Sequence, residues 1–113
     1  LAQDPHHRAL VGGEPLPADL AAFLRARCAE VVNLYGPTET TIWSSTWRVD
    51  SGPIAIGRPL PGEWFRILDR DGRPLPRGSE GELAIGGAGL ALGYDGDAAS
   101  TASRFVDDPL GCG

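Results

Sequence analysis

Residues 8–35, which read RALVGGEPLPADLAAFLRARCAEVVNLY, decide the fold. The run RALVG at residues 8–12 is a short apolar strand pattern, and two prolines after it end the strand and prepare a helix start. Apolar residues then recur at helical spacing through ADLAAFLRARC, with Cys28 as the last of them. The following EVVNLY, residues 30–35, is β-branched and apolar, as is typical of a parallel strand buried on both faces. The stretch therefore predicts a βαβ piece of a parallel α/β sheet.

The second half of the chain has a different character. Short β-prone runs, separated by Gly, Pro and Asp, predict a small antiparallel sheet or barrel; they are TTIWSSTWRV, PIAIGRPL, EWFRILDRDGRPL and GELAIGG. Asp71-Gly72 predicts a hairpin turn, because glycine readily takes the positive φ that such turns require. The run DAASTASRF predicts a short final helix. We expect an α/β subdomain portion at residues 1–47 and a β-rich portion at residues 48–113.

Composition excludes several classes of partner. The formal charge is -5, with 15 acidic and 10 basic residues scattered along the chain. No cationic stripe or basic amphipathic helix appears, so we expect neither nucleic acid nor a membrane surface as a partner. The cysteines, Cys28 and Cys112, form no disulfide framework and no metal-ligand spacing, which favours a reducing, cytoplasmic location. His6-His7 lacks a third ligand and is interpreted as an exposed loop.

One polar segment stands where a site is expected. It is NLYGPTETT, residues 33–41, directly after the predicted buried strand, and ligands of open α/β sheets bind beyond the carboxyl ends of strands. Tyr35 offers a flat face for a base, Thr38 a hydroxyl for phosphate, and Glu39 a carboxylate for a divalent ion. The alternative is an ordinary strand-to-loop turn with a helix cap at Thr38. Residue chemistry alone leaves both interpretations open.

Two long motifs in this chain resemble the signatures of adenylate-forming enzymes. NLYGPTETT is similar to one signature, and GELAIGGAGLALGY, residues 81–94, is similar to a second. The opening ALVGGEPL and the tail TASRF also match the family pattern. Pro37 and the Gly89-Leu90-Ala91 run resemble the amino-acid-activating adenylation domains of nonribosomal peptide synthetases more than acyl-CoA synthetases or luciferases. The chain departs from the pattern at Leu92 and Asp95, which we expect to be surface positions.

The resemblance implies the reaction of an amino acid with ATP to give an aminoacyl-adenylate and pyrophosphate. It also implies roles for individual residues: Tyr35 would stack on adenine, Asn33 would contact its edge, and the backbone around Gly13-Glu14, with Gly36, would line the base. Thr38 and Glu39 would be the catalytic residues, with Thr38 touching the α-phosphate and Glu39 binding Mg²⁺. The phosphopantetheine thiol of a carrier protein domain would then take the aminoacyl group.

The family's side-chain pocket matches five positions of this chain, Leu10, Gly12, Leu34, Ile42 and Trp43. The Trp, Leu and Ile side chains among them should fill much of the pocket and leave room for a very small side chain, so we expect glycine as substrate and cysteine as runner-up. Trp43 as a plain core aromatic is the alternative interpretation. Other candidate functions are an acyl- or aryl-acid ligase and a non-catalytic or nucleotide-binding-only interaction module.

The chain lacks other parts of the family's site. We find no Gly/Ser/Thr-rich phosphate loop, no acidic residue for the substrate amine, no ribose-binding Asp and no catalytic lysine. We therefore expect an internal fragment of an adenylation domain, which needs the remaining parts of that domain and is inactive in isolation.

Overall fold

The predicted βαβ unit is present. The structure, a computed structural model, describes residues 4–108 and 110. Strand β1 (Asp4–Gly12) is followed by helix α1 (Ala18–Arg25) and strand β2 (Cys28–Tyr35), and β1 pairs with β2 in parallel. His6 and His7 are exposed as expected, but they belong to β1 and not to a loop. The prediction that Cys28 extends the helix is wrong. The helix ends at its C-cap Ala26, and Cys28 begins β2.

The first sheet has four strands in the order β1-β2-β3-β4. Strand β3 (Ser45–Arg48) runs antiparallel to β2, and the short β4 (Arg58–Pro59) runs antiparallel to β3. We expected the runs TTIWSSTWRV, which contains β3, and PIAIGRPL, which contains β4, to belong to the small antiparallel sheet, and this expectation is wrong. They extend the first sheet because Val49 and Trp47 carry their apolar surface into the same core as Val31.

Helix α1 covers one face of this sheet. Leu16, Ala21, Val31 and Val49 are buried together, and Ala9 and Val11 of β1 pack against them. Because side chains alternate along a strand, Leu10 and Gly12 belong to the opposite face, where Leu10 remains 68% exposed. The register places Gly12 beside Leu34 on that face. The structure thus separates a core face from a face that α1 leaves uncovered.

A second sheet consists of β5 (Glu63–Leu68) and β6 (Glu82–Gly87), paired antiparallel. The predicted turn at Asp71-Gly72 is confirmed: Gly72 has a φ of 77°, and the Gly72 N–H donates to the Asp69 carbonyl at 3.1 Å. The predicted final helix is also confirmed as α2 (Ala98–Arg104). Its N-cap is Asp97, whose side chain accepts a hydrogen bond from the Ser100 N–H.

The described residues form two compact units. The first contains the chain up to Gly36 together with Trp43–Leu60, and the second contains Pro37–Ile42 together with the residues from Pro61 onward. The division into portions 1–47 and 48–113 of one adenylation domain stays a prediction. Within the described part of the chain, neither helix has the length and apolarity required of a membrane span.

Candidate functional site

In the first unit, the ends of β1 and β2 bring together three of the five predicted pocket residues. Gly12 and Leu34 lie side by side in the parallel register, and Trp43 packs over Gly12. A Cβ built on Gly12 would lie 2.6 Å from Cη2 of Trp43 and 2.9 Å from the Leu34 carbonyl oxygen. No real Cβ tolerates such distances, so this indole position requires glycine at residue 12.

Trp43 is not a buried core aromatic, because 36% of its surface is exposed. Leu10 lies two residues before Gly12 on the same strand and is 68% exposed. Ile42, which precedes Trp43 in the chain, is 62% exposed. Accessible apolar residues therefore occupy all three positions.

Asn33 has a structural partner. It is 6% exposed, and its Nδ2 donates to the Ala55 carbonyl at 2.8 Å. The same loop is held a second time at the adjacent residue, since the Ser45 hydroxyl donates to the Ile56 carbonyl at 2.7 Å. Asn33 thus fixes the loop before β4. Its amide oxygen and its second N–H are the groups that could still contact a ligand.

The other nucleotide candidates of the first unit lie at strand ends. Tyr35 ends β2, is half-buried, and accepts a hydrogen bond from the Ser44 N–H on its carbonyl at 2.7 Å. Gly36 follows it directly. Gly13 follows β1 with a φ of 88°, a conformation that favours glycine, and Glu14 is exposed. The structure places Tyr35 at the carboxyl end of β2, and Gly36, Gly13 and Glu14 just beyond the carboxyl ends of the two parallel strands.

In the second unit, Thr38 and Glu39 begin a short 3₁₀ helix, Thr38–Thr40. Its N-cap is Pro37, and no side chain caps it, so the alternative of Thr38 as a helix cap does not hold. Thr38 is exposed and Glu39 is half-buried. The Thr38 hydroxyl is therefore not committed to the helix start.

Glu39 is hydrogen-bonded to the second motif, residues 81–94. The Tyr94 hydroxyl donates to Oε1 of Glu39, across 55 positions of sequence. The Ala91 N–H donates to the Glu39 carbonyl at 2.8 Å, and the Thr41 hydroxyl donates to the Gly89 carbonyl at 2.7 Å. Three hydrogen bonds thus join residues 39–41 to residues 89–94.

These contacts favour the anionic form of Glu39. The hydrogen bond from Tyr94, its own backbone N–H and the charge of Arg104 lower the pKa of the Glu39 carboxyl. The same hydrogen bond raises the pKa of the Tyr94 hydroxyl, which stays protonated and remains a donor. Glu39 is therefore a carboxylate at neutral pH with one oxygen engaged by Tyr94.

Thr41 has a rare backbone conformation. Its φ is 76° and its ψ is -72°, and the Ile42 N–H donates to the Thr40 carbonyl at 3.0 Å. This is the γ-turn of positive φ, which is strained and unusual for a β-branched residue. The hydrogen bond from its hydroxyl to Gly89 holds the turn in place.

The Glu39 carboxylate fits a Mg²⁺ role. Mg²⁺ in nucleotide sites is bound through one or two carboxylates, with phosphate and water oxygens completing the octahedron. Over residues 4–108 and 110, no group of three His, Cys, Asp or Glu side chains is placed to hold a metal ion. A single anionic carboxylate with an oxygen not engaged by Tyr94 suits a cation carried in with the nucleotide.

Sequence reasoning did not assign roles to Tyr94 or Thr41. Tyr94 was visible as the last residue of the second signature, and nothing in the spacing placed it beside Glu39. Leu92 and Asp95, where the chain departs from the family pattern, are both exposed, as we expected of surface positions.

Comparison with known proteins gives one family. The sequence profile of the AMP-binding enzymes matches residues 2–95. The chain is 48% identical to a probable non-canonical nonribosomal peptide synthetase, CymA, of Salinispora arenicola over 90% of its own length and 1% of that protein. It is 47% identical to a dimodular nonribosomal peptide synthase of Bacillus subtilis over 92% of its own length and 4% of that protein.

A solved structure agrees with the fold. The four-domain nonribosomal peptide synthetase AB3403, in a crystal structure with AMP and glycine, matches with a TM-score of 0.83 and 39% identity. The match covers 95% of this chain and 8% of that one. The chain thus spans a small part of the length of each of these relatives.

Proposed function

The chain belongs to the AMP-binding enzyme family, and from this premise we propose that it supplies part of the nucleotide and substrate site of an amino-acid-activating adenylation domain. The observation that carries the proposal is the junction of the two signatures at Glu39, where Tyr94 holds the carboxylate. Because each relative is far longer than this chain, the activity is proposed for the complete domain. The isolated chain is proposed to be inactive.

The proposed reaction is nucleophilic substitution at the α-phosphorus of ATP. An oxygen of the amino acid carboxylate forms a bond to that phosphorus, the bond to the bridging oxygen of the β-phosphate breaks, and pyrophosphate leaves. Charge on the phosphoryl oxygens grows in the transition state, and positioned donors there lower the barrier. The exposed Thr38 hydroxyl is proposed as one such donor to the α-phosphate.

Glu39 is proposed to bind Mg²⁺ together with the phosphates of ATP. The bound cation would supply charge neutralisation on the phosphoryl oxygens. Glu39 itself contributes a carboxylate that is already ionised, because the hydrogen bond from Tyr94 lowers its pKa. Removing that carboxylate should weaken cation binding and slow the reaction.

Adenine recognition is proposed for the ends of β1 and β2. Tyr35 would stack on the base, with the backbone of Gly13, Glu14 and Gly36 around it. Asn33 would contact the base edge through its amide oxygen or second N–H, since one N–H is engaged by Ala55. The positive φ of Gly13 favours glycine, and glycine has no Cβ to obstruct a base at this point.

Glycine is the proposed substrate. Trp43 packs over Gly12, beside Leu34, which supports a pocket with room for only a very small substrate side chain. Leu10 and Ile42 add apolar surface. The AB3403 structure contains glycine, which is in keeping with this proposal but belongs to a relative at 39% identity. Cysteine is the alternative small substrate.

A carrier protein domain is the proposed partner for the second half-reaction. Its phosphopantetheine thiolate would attack the carbonyl carbon of the adenylate, the carbon–oxygen bond to phosphate would break, and AMP would leave. The Bacillus subtilis relative is dimodular by name and AB3403 is a four-domain synthetase, which supports a carrier in the same assembly.

The test is amino-acid-dependent ATP–pyrophosphate exchange by the complete domain, across small and large amino acids and amine-free acids. Exchange dominated by glycine supports both the reaction and the pocket. Exchange with cysteine or a larger residue keeps the reaction and refutes the glycine assignment. Exchange with amine-free acids alone assigns an acyl- or aryl-acid ligase. Mg²⁺-dependent ATP binding without exchange assigns a nucleotide-binding module, and absence of both assigns an interaction module.

Trp43→Ala is the matched variant for the pocket. It removes the indole over Gly12 and should admit larger amino acids, because an added methylene in a tight pocket changes selectivity by about 1–3 kcal/mol. An unchanged substrate profile would refute the pocket role of Trp43. Phe23→Ala is the control, since Phe23 is an exposed aromatic on α1, away from the face that holds Gly12.

A further inference from the structure

The backbone and the ring of Tyr94 are held by contacts with residues 101 and 105 of the second unit. Its backbone N–H donates to the Thr101 hydroxyl of α2 at 2.9 Å. Its ring packs edge-on against Phe105, with ring centroids 5.6 Å apart and an interplanar angle of 76°. The preceding Gly93 has a φ of 146°, and a Cβ there would lie 2.7 Å from Cγ2 of Thr101. The phenol therefore has little freedom to swing.

The partner of Tyr94 is held through its main chain by the same segment. The Ala91 N–H donates to the Glu39 carbonyl at 2.8 Å, three residues before Tyr94. The segments that contain Glu39 and Tyr94 are thus joined by a backbone hydrogen bond as well as by the hydrogen bond between their side chains. A carboxylate held in this way keeps one oxygen on the phenol and presents the other oxygen in a fixed direction.

We propose that Tyr94 is a positioning residue that orients the Glu39 carboxylate for the divalent cation of the nucleotide. The inference rests on the proposed function, because that function makes Glu39 a cation ligand. Hydrogen-bond partners of metal-binding carboxylates fix ligand orientation, and their removal typically costs 10–100-fold in metal affinity or activity. Tyr94 does not touch the cation or the reacting atoms in this role.

The experiment compares Tyr94→Phe with the wild type in the complete domain. Phenylalanine keeps the ring against Phe105 and removes only the hydroxyl. The first measurement is Mn²⁺ affinity in the presence of a non-hydrolysable ATP analogue, followed by the electron paramagnetic resonance signal of free Mn²⁺. We expect about 10–100-fold weaker binding in Tyr94→Phe. The second measurement is the rate of ATP–pyrophosphate exchange as a function of Mg²⁺ concentration. Saturating Mg²⁺ should restore most of the rate of Tyr94→Phe.

Two further variants make the outcome decisive. Leu92→Ala changes a fully exposed side chain (103%) of the same segment and should bind Mn²⁺ like the wild type. Glu39→Gln should lose affinity at least as strongly as Tyr94→Phe. Normal binding in Tyr94→Phe with weakened binding in Glu39→Gln overturns the positioning role alone. Normal binding in Glu39→Gln, or no nucleotide-dependent binding in the wild type, overturns the cation role of Glu39 and the inference with it.

Discussion

Replacing Gly12 with alanine tests the packing of Trp43 over the pocket face. The new Cβ would lie 2.6 Å from Cη2 and 2.7 Å from Cζ3 of the indole. Nonbonded carbon atoms rest at about 3.5–4.0 Å, so the ring or the backbone must move by about 1 Å. Overpacking of this kind costs about 1–3 kcal/mol in the free energy of unfolding.

A double-mutant cycle assigns that cost to Trp43. In Trp43→Ala the two shortest of these contacts are gone, and the contact of a Cβ at residue 12 with the Leu34 carbonyl oxygen, at 2.9 Å, remains. We expect Gly12→Ala to cost less in this background, with a coupling energy of about 0.5–3 kcal/mol. The assay is urea unfolding of the complete domain followed by circular dichroism, with midpoints compared at equal m-values.

An equal cost of Gly12→Ala in both backgrounds would refute the reasoning. The strain would then come from the Leu34 carbonyl alone, and Trp43 would not lie over Gly12 in solution. Substrate selectivity gives a second readout, because an indole displaced by about 1 Å alters the space for the substrate side chain.

Gly57 and Gly72 form a matched pair, with φ values of 81° and 77°. A Cβ at Gly57 would lie 1.9 Å from a backbone carbonyl of β3, whereas Gly72 has open space. Gly72→Ala should lower the free energy of unfolding by about 1–2 kcal/mol, because alanine is strained at a positive φ. Gly57→Ala should lower it by a further amount of about 1–3 kcal/mol, because its Cβ also clashes with the β3 carbonyl. Equal midpoints in urea for the two variants would contradict the packing of β3 against residue 57. Asn33→Ala removes the donor to the Ala55 carbonyl and should cost about 1–3 kcal/mol of stability. Weaker nucleotide binding at unchanged stability would instead make the base the principal partner of Asn33.

Local pattern predicted the βαβ unit and the turn at Asp71-Gly72. Both depend on near neighbours in sequence: β-branched runs, helical spacing and a glycine of positive φ. Which sheet β3 joins depends on packing between residues far apart in sequence, since Val49 lies in the same core as Leu16 and Val31. A β-prone run contains no information about such a partner, which is why this pairing was assigned to the wrong sheet.

The site shows the same division. Motifs identified Glu39 and the segment that ends in Tyr94, but the hydrogen bond between them spans 55 positions and depends on the tertiary fold. The positive φ of Thr41 could not be predicted either, because a β-branched residue is a poor candidate for that conformation. Its hydroxyl bond to Gly89 compensates for strain that no local pattern reveals.

Transfer of oxygen from the amino acid to AMP tests the central claim most directly. The complete domain would be given ATP, glycine labelled with ¹⁸O in both carboxylate oxygens, and hydroxylamine to cleave the adenylate at its carbonyl carbon. Attack of the carboxylate on the α-phosphorus predicts AMP with one ¹⁸O atom and unlabelled pyrophosphate, with much less product from Glu39→Gln. Unlabelled AMP, or ADP in place of AMP, with glycine and every other amino acid tried would contradict the account.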